Sequence, residues 1–180
     1  GASARLRHGL FRAAKDEVDS LVDEVGERGQ LMVEEDGAGI YIYQSLADRG
    51  VQTDSHVGTV VNLHATAVGK AYLAALPEDD RTALLDDADL TDVTPNTVTD
   101  RDSLEAELED IAEQGYAFND EERTIGMRAV GAPVVADDEV LGGVSISGPT
   151  TRLSGDWYHE EVPELVSQAA RVIGLKATYS

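Results

Sequence analysis

Three strand-like segments follow one another with only short turns between them, and this limits the fold more than any other feature. They cover residues 116–119, 127–135 and 140–147, with Asp137-Asp138-Glu139 as the turn between the last two. Short turns join antiparallel neighbours, whereas a parallel pair needs a crossover of roughly a dozen residues or more. A second pair, residues 31–34 and 40–44, flanks Glu35-Asp36-Gly37-Ala38-Gly39 and reads as a hairpin. Strict alternation places Ile40 and Ile42 on one face and Tyr41 and Tyr43 on the other. Residues 58–63 form a further extended piece.

The remaining segments carry helical spacing. Over residues 4–27, Leu6, Leu10, Ala14, Val18 and Val25 recur on one face, and Gly26 and Gly29 end the helix. Thr66 caps a helix reaching about residue 76, and Pro77 with Glu78 opens another to about 87. A loop over 89–99 leads to a third helix over 102–114, opened by Thr99 or Asp100 and stopped by Gly115. From Asp156 a closing helix carries Val162, Leu165, Val166, Ala169 and Ile173 as its apolar face, with Pro163 in its first turn. This order predicts an α+β fold, a mainly antiparallel sheet flanked by helices, and argues against a βαβ dinucleotide fold. A sheet face covered by helices and loops leaves a ligand cleft.

Composition narrows the function. The chain has 180 residues, the size of one ordinary domain, and no run of residues long and apolar enough for a membrane span. Thirty-five acids against 14 bases give a net charge of −21, so most of the surface repels a phosphate backbone. The acids are spread along the whole chain and only Lys15, Lys70 and Lys176 are lysines, which reads as a surface suited to molar salt, as in a halophile. A surface for a basic partner is the weaker account. Without cysteine there is no disulfide, thiol nucleophile or cysteine metal site, which fits a cytoplasmic protein.

Motifs for chemistry are mostly absent. Gly69-Lys70 lacks the earlier glycine and the following Ser or Thr of a phosphate loop, since His64 and Ala71 stand there. Gly143-Val144-Ser145-Ile146-Ser147 lacks the closing glycine of a nucleophile elbow. His8, His56, His64 and His159 are not at helical metal-ligand spacing, and Asp120-Glu121-Glu122 reads as a solvated loop rather than a cation site. The expectation is therefore no catalytic residues, no metal and no cofactor. Two features suit binding. Behind a Thr66 cap, the N–H groups of Ala67, Val68 and Gly69 lie at the positive end of a helix, where they either bind a carboxylate or phosphate or simply complete an ordinary cap. Ser145 and Ser147 share one strand face, opposite Val144 and Ile146, and serve a polar ligand or face water. The basic cluster Arg5, Arg7, His8, Arg12 and Lys15 is a solvated helix face or a linker from a DNA-binding module.

Five blocks in order then resemble one family. Residues 63–71 (LHATAVGKA) resemble the "LHATAxGKA" signature of IclR-type transcription regulators, and 97–101 (TVTDR) resemble "TITDR". Residues 115–122 (GYAFNDEE) are similar to "GYAxDDEE", 126–134 (GMRAVGAPV) to "GxxCxAAPV", and 145–149 with Arg152-Leu153 to "SVSGPxxRL". The resemblance implies a GAF-like, profilin-like effector-binding domain over residues 28–180, preceded by a linker helix over 1–27. It also implies an upstream winged helix-turn-helix, absent from this sequence, through which operator DNA is bound. Dimers or tetramers are implied as well. In the pocket so implied, the Ala67 and Val68 amides, flanked by Thr66 and Gly69, hold a ligand carboxylate. Ser145 and Ser147 supply hydroxyls, and Asn119, Met127 and Ala129 line the rest. Asn119 stands where the family has an acid and Ala129 where it often has Cys, so the effectors of other members need not transfer. The expected function is sensing of a small organic, sugar or aromatic acid. The alternatives are a purely structural oligomerisation module and an enzyme acting on a small acid, for which Asn119 is a poor general base.

Overall fold

The computed structural model describes residues 4–48 and 56–179, with side chains from residue 9 onward. Of the basic cluster near the N-terminus, the side chains of Arg5, Arg7 and His8 lie outside the described residues. The elements run α1 (Ala4–Val25), β1 (Arg28–Glu35), β2 (Ala38–Ser45), β3 (Val60–Asn62), a 3-10 turn (Leu63–Ala65), α2 (Ala67–Ala75) and α3 (Glu78–Asp87). They continue with α4 (Arg101–Gln114), β4 (Ala117–Asp120), β5 (Met127–Ala136), β6 (Glu139–Pro149), a π turn (Trp157–Glu161) and α5 (Val162–Thr178). The strands form one six-stranded sheet in the order β3-β2-β1-β6-β5-β4, and every pairing is antiparallel. The mixed α+β architecture read from the turn lengths is the one observed.

Alternation along the strands divides the interior into two cores. On one face, Leu31, Val130, Ala132, Val144 and Ile146 pack under α1 and α5, against Leu10, Val18, Val166 and Ile173. On the other, Met32, Tyr41, Val61 and Ala117 pack under α2, α3 and α4. Helix α2 is buried along nearly its whole length, which its short, apolar sequence allows. The α4 helix is capped by the Asp100 carboxylate, which accepts from the Ser103 N–H at 2.9 Å, and it stops at Gly115 in the left-handed conformation (φ 92°).

Two details differ from the sequence expectation. Gly26 does end α1, with φ 80° and its N–H on the Val22 carbonyl, but Gly29 is not a terminator. It lies inside β1, which begins at Arg28, three residues earlier than alternation suggested. A Cβ on Gly29 would sit 2.6 Å from Val22 Cγ2, so its glycine serves the close seating of α1 on the sheet. The tyrosines of β2 do not share a face either. Leu31 pairs with Tyr43 and the next residue, Met32, with Tyr41, so Ile42 is the extra residue of a β-bulge. The bulge resets the alternation: Tyr43 packs on the α1 side, its hydroxyl donating to Asp19 at 2.6 Å, and Tyr41 turns under α2. Burial and the Asp19 carboxylate push the Tyr43 hydroxyl up to about 12.

Candidate functional site

The register sets two rows of side chains across the sheet on the α2 face. One row is Arg28, Ser147, Ala129 and Asn119, taken from β1, β6, β5 and β4 in turn. The next, two residues along, is Gln30, Ser145, Gly131 and Ala117. Above these rows lies a small cavity of about 40 Å³. Ser145 and Ser147 both line it and both are buried, so the two residues face this cavity rather than the open surface. Ala129, Met127 and Asn119 also reach it.

The roof is the start of α2. Thr66 is extended (φ −126°, ψ 149°), and its Oγ1 accepts from the Gly69 N–H at 3.0 Å. That bond uses the Gly69 donor, and Gly69 does not line the cavity. A Cβ there would lie 2.3 Å from the Leu63 carbonyl oxygen, so its role is to let the 3-10 turn fold back on α2. Ala67 and Val68 are both buried and both line the cavity, and their N–H groups are first-turn donors with no acceptor among the described residues. Thr66, Ala67 and Val68 thus meet the serines across the cavity, and Gly69 stands behind them. The approach is close because the sheet residue beneath is Gly131: a Cβ on it would meet Val68 N at 2.7 Å and the Ala67 carbonyl carbon at 2.8 Å.

Several polar residues of the cavity escaped the sequence reading. Arg28 is 5% exposed, and its guanidinium donates from Nε and Nη2 to Ser147 Oγ at 3.1 and 2.9 Å. Gln30 beside it donates to the Gln44 side chain at 2.9 Å. Arg123, from the loop after β4, lines the cavity together with Tyr41. Burial pushes the Tyr41 phenol up, and the positive charges of Arg123 and Arg28 pull it back. Arg128 also touches the cavity, but its guanidinium lies on the opposite face, on the Asp120 carboxylate, the Leu153 carbonyl and the ring of Tyr158. The signals for Arg28 and Gln30 were the true start of β1, and for Tyr41 the bulge; neither shows in a plain alternation.

Asn119 has both ends of its amide engaged. It donates to the Ala65 carbonyl at 2.9 Å and accepts from the Glu122 N–H at 2.8 Å. A carboxylate in its place would face the Ala65 carbonyl oxygen without a proton to share, so the amide fits this position. The residues after it are not a uniformly solvated loop. Glu122 is buried, and with Glu107 it receives the ammonium of Lys70, itself fully buried, at 2.8 and 2.5 Å. Burial pushes the Glu122 carboxyl up and Lys70 pulls it back. Thr97 Oγ1 donates to the Glu122 carbonyl and Thr94 Oγ1 to that of Glu121, so the segment that carries Arg123 is fastened at several points. Of the histidines with described side chains, His64 is buried on the Thr91 carbonyl, while His56 and His159 are exposed.

A larger groove of about 820 Å³ runs between the β1–β2 hairpin and the segment after α3. Glu34, Glu35, Asp36, Asp87 and Asp89 rim it, which disfavours an anion, and it gathers no comparable set of buried donors.

The sequence profile of the family described as "Bacterial transcriptional regulator IclR C-terminal" matches residues 3–175. The "Probable HTH-type transcriptional regulator ArcR" of Halobacterium salinarum is 35% identical over 177 residues, which is 96% of this chain and 67% of the relative. The "HTH-type transcriptional regulator BhcR" of Paracoccus denitrificans is 33% identical over 172 residues, covering 95% of this chain and 61% of that protein. The crystal structure of the Thermotoga maritima IclR superposes with a TM-score of 0.90 at 32% identity, over 94% of this chain and 69% of that one. The chain therefore spans about two thirds of the length of these relatives.

Proposed function

The chain belongs to the IclR family of transcriptional regulators, as their C-terminal domain, and we propose that it senses a small organic acid in the cavity beneath α2. The observation that carries this reading is that two first-turn amides with no acceptor among the described residues, those of Ala67 and Val68, meet the buried Ser145 at one cavity. Burying polar groups without partners costs about 1–3 kcal/mol each, so a site that keeps them is supported by what fills it. A carboxylate supplies acceptors for the amides and takes advantage of the helix dipole. Thr66 holds the first turn, Gly69 lets it fold back, Ser147 and Asn119 set the floor and edge, and Met127 and Ala129 shape the space.

The domain acts by binding, not by turnover, and its ligand shifts the equilibrium between assemblies of the full regulator. That regulator is a dimer or tetramer that grips operator DNA through a helix-turn-helix upstream of residue 1, with residues 1–27 as the connecting segment and 28–180 as the sensor. It works in the cytoplasm of an organism with a salt-rich interior, a halophilic archaeon. The first relative described and the net charge of −21 support the salt adaptation.

The test is a thermal-shift screen of small carboxylates, sugar acids and aromatic acids in molar KCl. A ligand that binds only the folded state adds about 2.7 kcal/mol at a hundred times its dissociation constant. We expect a saturable shift that vanishes when Ser145 and Ser147 are both changed to Val. A shift that survives the double change would remove the cavity from the account. A flat screen, together with self-association, would favour a structural module.

A further inference from the structure

We propose that the effector is a short-chain dicarboxylate and that Arg28 is the residue that selects it, a proposal that rests on the sensing role above. The Ala67 and Val68 amides answer one carboxylate. Arg28 places a permanent positive charge on the same cavity, 95% buried in terms of its residue surface and pinned to Ser147 by two hydrogen bonds. Ser147 lies one strand across and two residues along from Gly131, which is the residue beneath the amides. Strand spacing and rise make that separation about 8 Å between Cα atoms, so the floor under the amides and the floor beside the arginine are set apart along one small space.

Each feature of the lining fits a ligand charged at both ends. An arginine fork recognises a carboxylate with directed, charge-assisted bonds, and it does so more strongly in a buried setting. Arg123 adds a second positive charge at the cavity and acts on Tyr41 together with Arg28. The described lining contains no Asp or Glu, although the chain has 35 acids. Ser145, between the two ends, is buried and offers its hydroxyl to the middle of the ligand. The volume of about 40 Å³ suits a chain of few carbons.

The experiment is calorimetric titration of the chain with pairs matched in carbon number: propionate against malonate, and butyrate against succinate, with inorganic phosphate as a further probe. The better dicarboxylate is expected to bind at least tenfold more tightly than its monoacid, or about 1.4 kcal/mol. Arg28→Gln keeps a donor for Ser147 and removes the charge, so the preference should shrink to within about threefold. Arg123→Gln should reduce it by a smaller factor, and it serves as the second variant if Arg28→Gln melts early. Equal binding of monoacids and dicarboxylates by the unaltered chain overturns the proposal. So does an undiminished preference in a folded Arg28→Gln, or phosphate binding more tightly than either dicarboxylate. If monoacids bind and the Ser145 and Ser147 changes abolish that binding, but no dicarboxylate preference exists, sensing stands and the dicarboxylate assignment falls. If no carboxylate of either kind binds, both fall.

Discussion

The two faces of the sheet are made by the same strands and follow opposite rules. Toward α1 and α5, Val130, Val144 and Ile146 are fully buried within one apolar cluster. Toward the start of α2, their immediate neighbours Ser145 and Ser147 bound a cavity whose walls carry amides, hydroxyls and arginine. A period of two lets one strand do both. The dry face supplies the stability that permits the wet face to keep unfilled space and unbonded donors, a cost of the kind concentrated at functional sites. Stability and binding should therefore separate by face, and substitutions of matched size test that.

The largest effect is expected from Ile146→Ala on the dry face. Ile146 has no exposed surface, and deleting such a side chain costs about 2–5 kcal/mol through lost transfer energy and a residual cavity. Urea unfolding should show that loss, while the affinity of the remaining folded protein for the proposed carboxylate stays within about threefold. A large fall in affinity at preserved fold would mean that the faces are mechanically coupled and the division is false.

A methyl group added to each face makes the next contrast. On Gly131 it meets backbone atoms of Ala67 and Val68, which cannot yield by a rotamer change. On Gly29 it meets the Val22 and Val18 side chains, which have some freedom to shift. Gly131→Ala should cost about 1–3 kcal/mol and lift the amides off the cavity, lowering carboxylate affinity at least tenfold. Gly29→Ala should cost stability at the lower end of that range and leave affinity alone. If calorimetry finds the two variants equally impaired in binding, the roof of the cavity is not where the structure puts it.

The same contrast explains what could be read from the chain. The dry face was legible because its signal is repetition: Val144 and Ile146, or Leu10, Ala14 and Val18, fall at the period of their element. The wet face was legible only where its local chemistry is self-contained, as in the Thr66 cap with its following amides and the Ser145–Ser147 pair. Arg28 and Gln30 did not show, because two charged or polar residues beside Gly26 and Gly29 look like the frayed end of a helix. Their burial comes from pairing with β6, residues more than a hundred positions away. Tyr41 was hidden by a single inserted residue, Ile42, which reverses the alternation after it. Glu122 looked solvated beside two other acids, and only the fold brings Lys70 and Glu107 to it.

The smallest effect, and the finest probe of the wet face, is Thr66→Ala. Its Oγ1 accepts from the Gly69 N–H and its hydroxyl donates to the Asn62 carbonyl at 3.3 Å, so the residue ties the 3-10 turn to the first turn of α2. Loss of an N-cap side chain costs about 1 kcal/mol. The more telling change is in the donors. With Thr66 present, the Gly69 N–H is satisfied and the Ala67 and Val68 amides keep their direction toward the cavity. With alanine, three first-turn donors compete for one carboxylate and the turn frays. Carboxylate affinity should fall severalfold, and Thr66→Ser, which restores the oxygen, should recover both stability and affinity. A Thr66→Ala chain that loses the expected stability yet binds as before would show that the amides are held by the packing of α2 on Gly131 alone. The cap would then belong, in energetic terms, with the dry face.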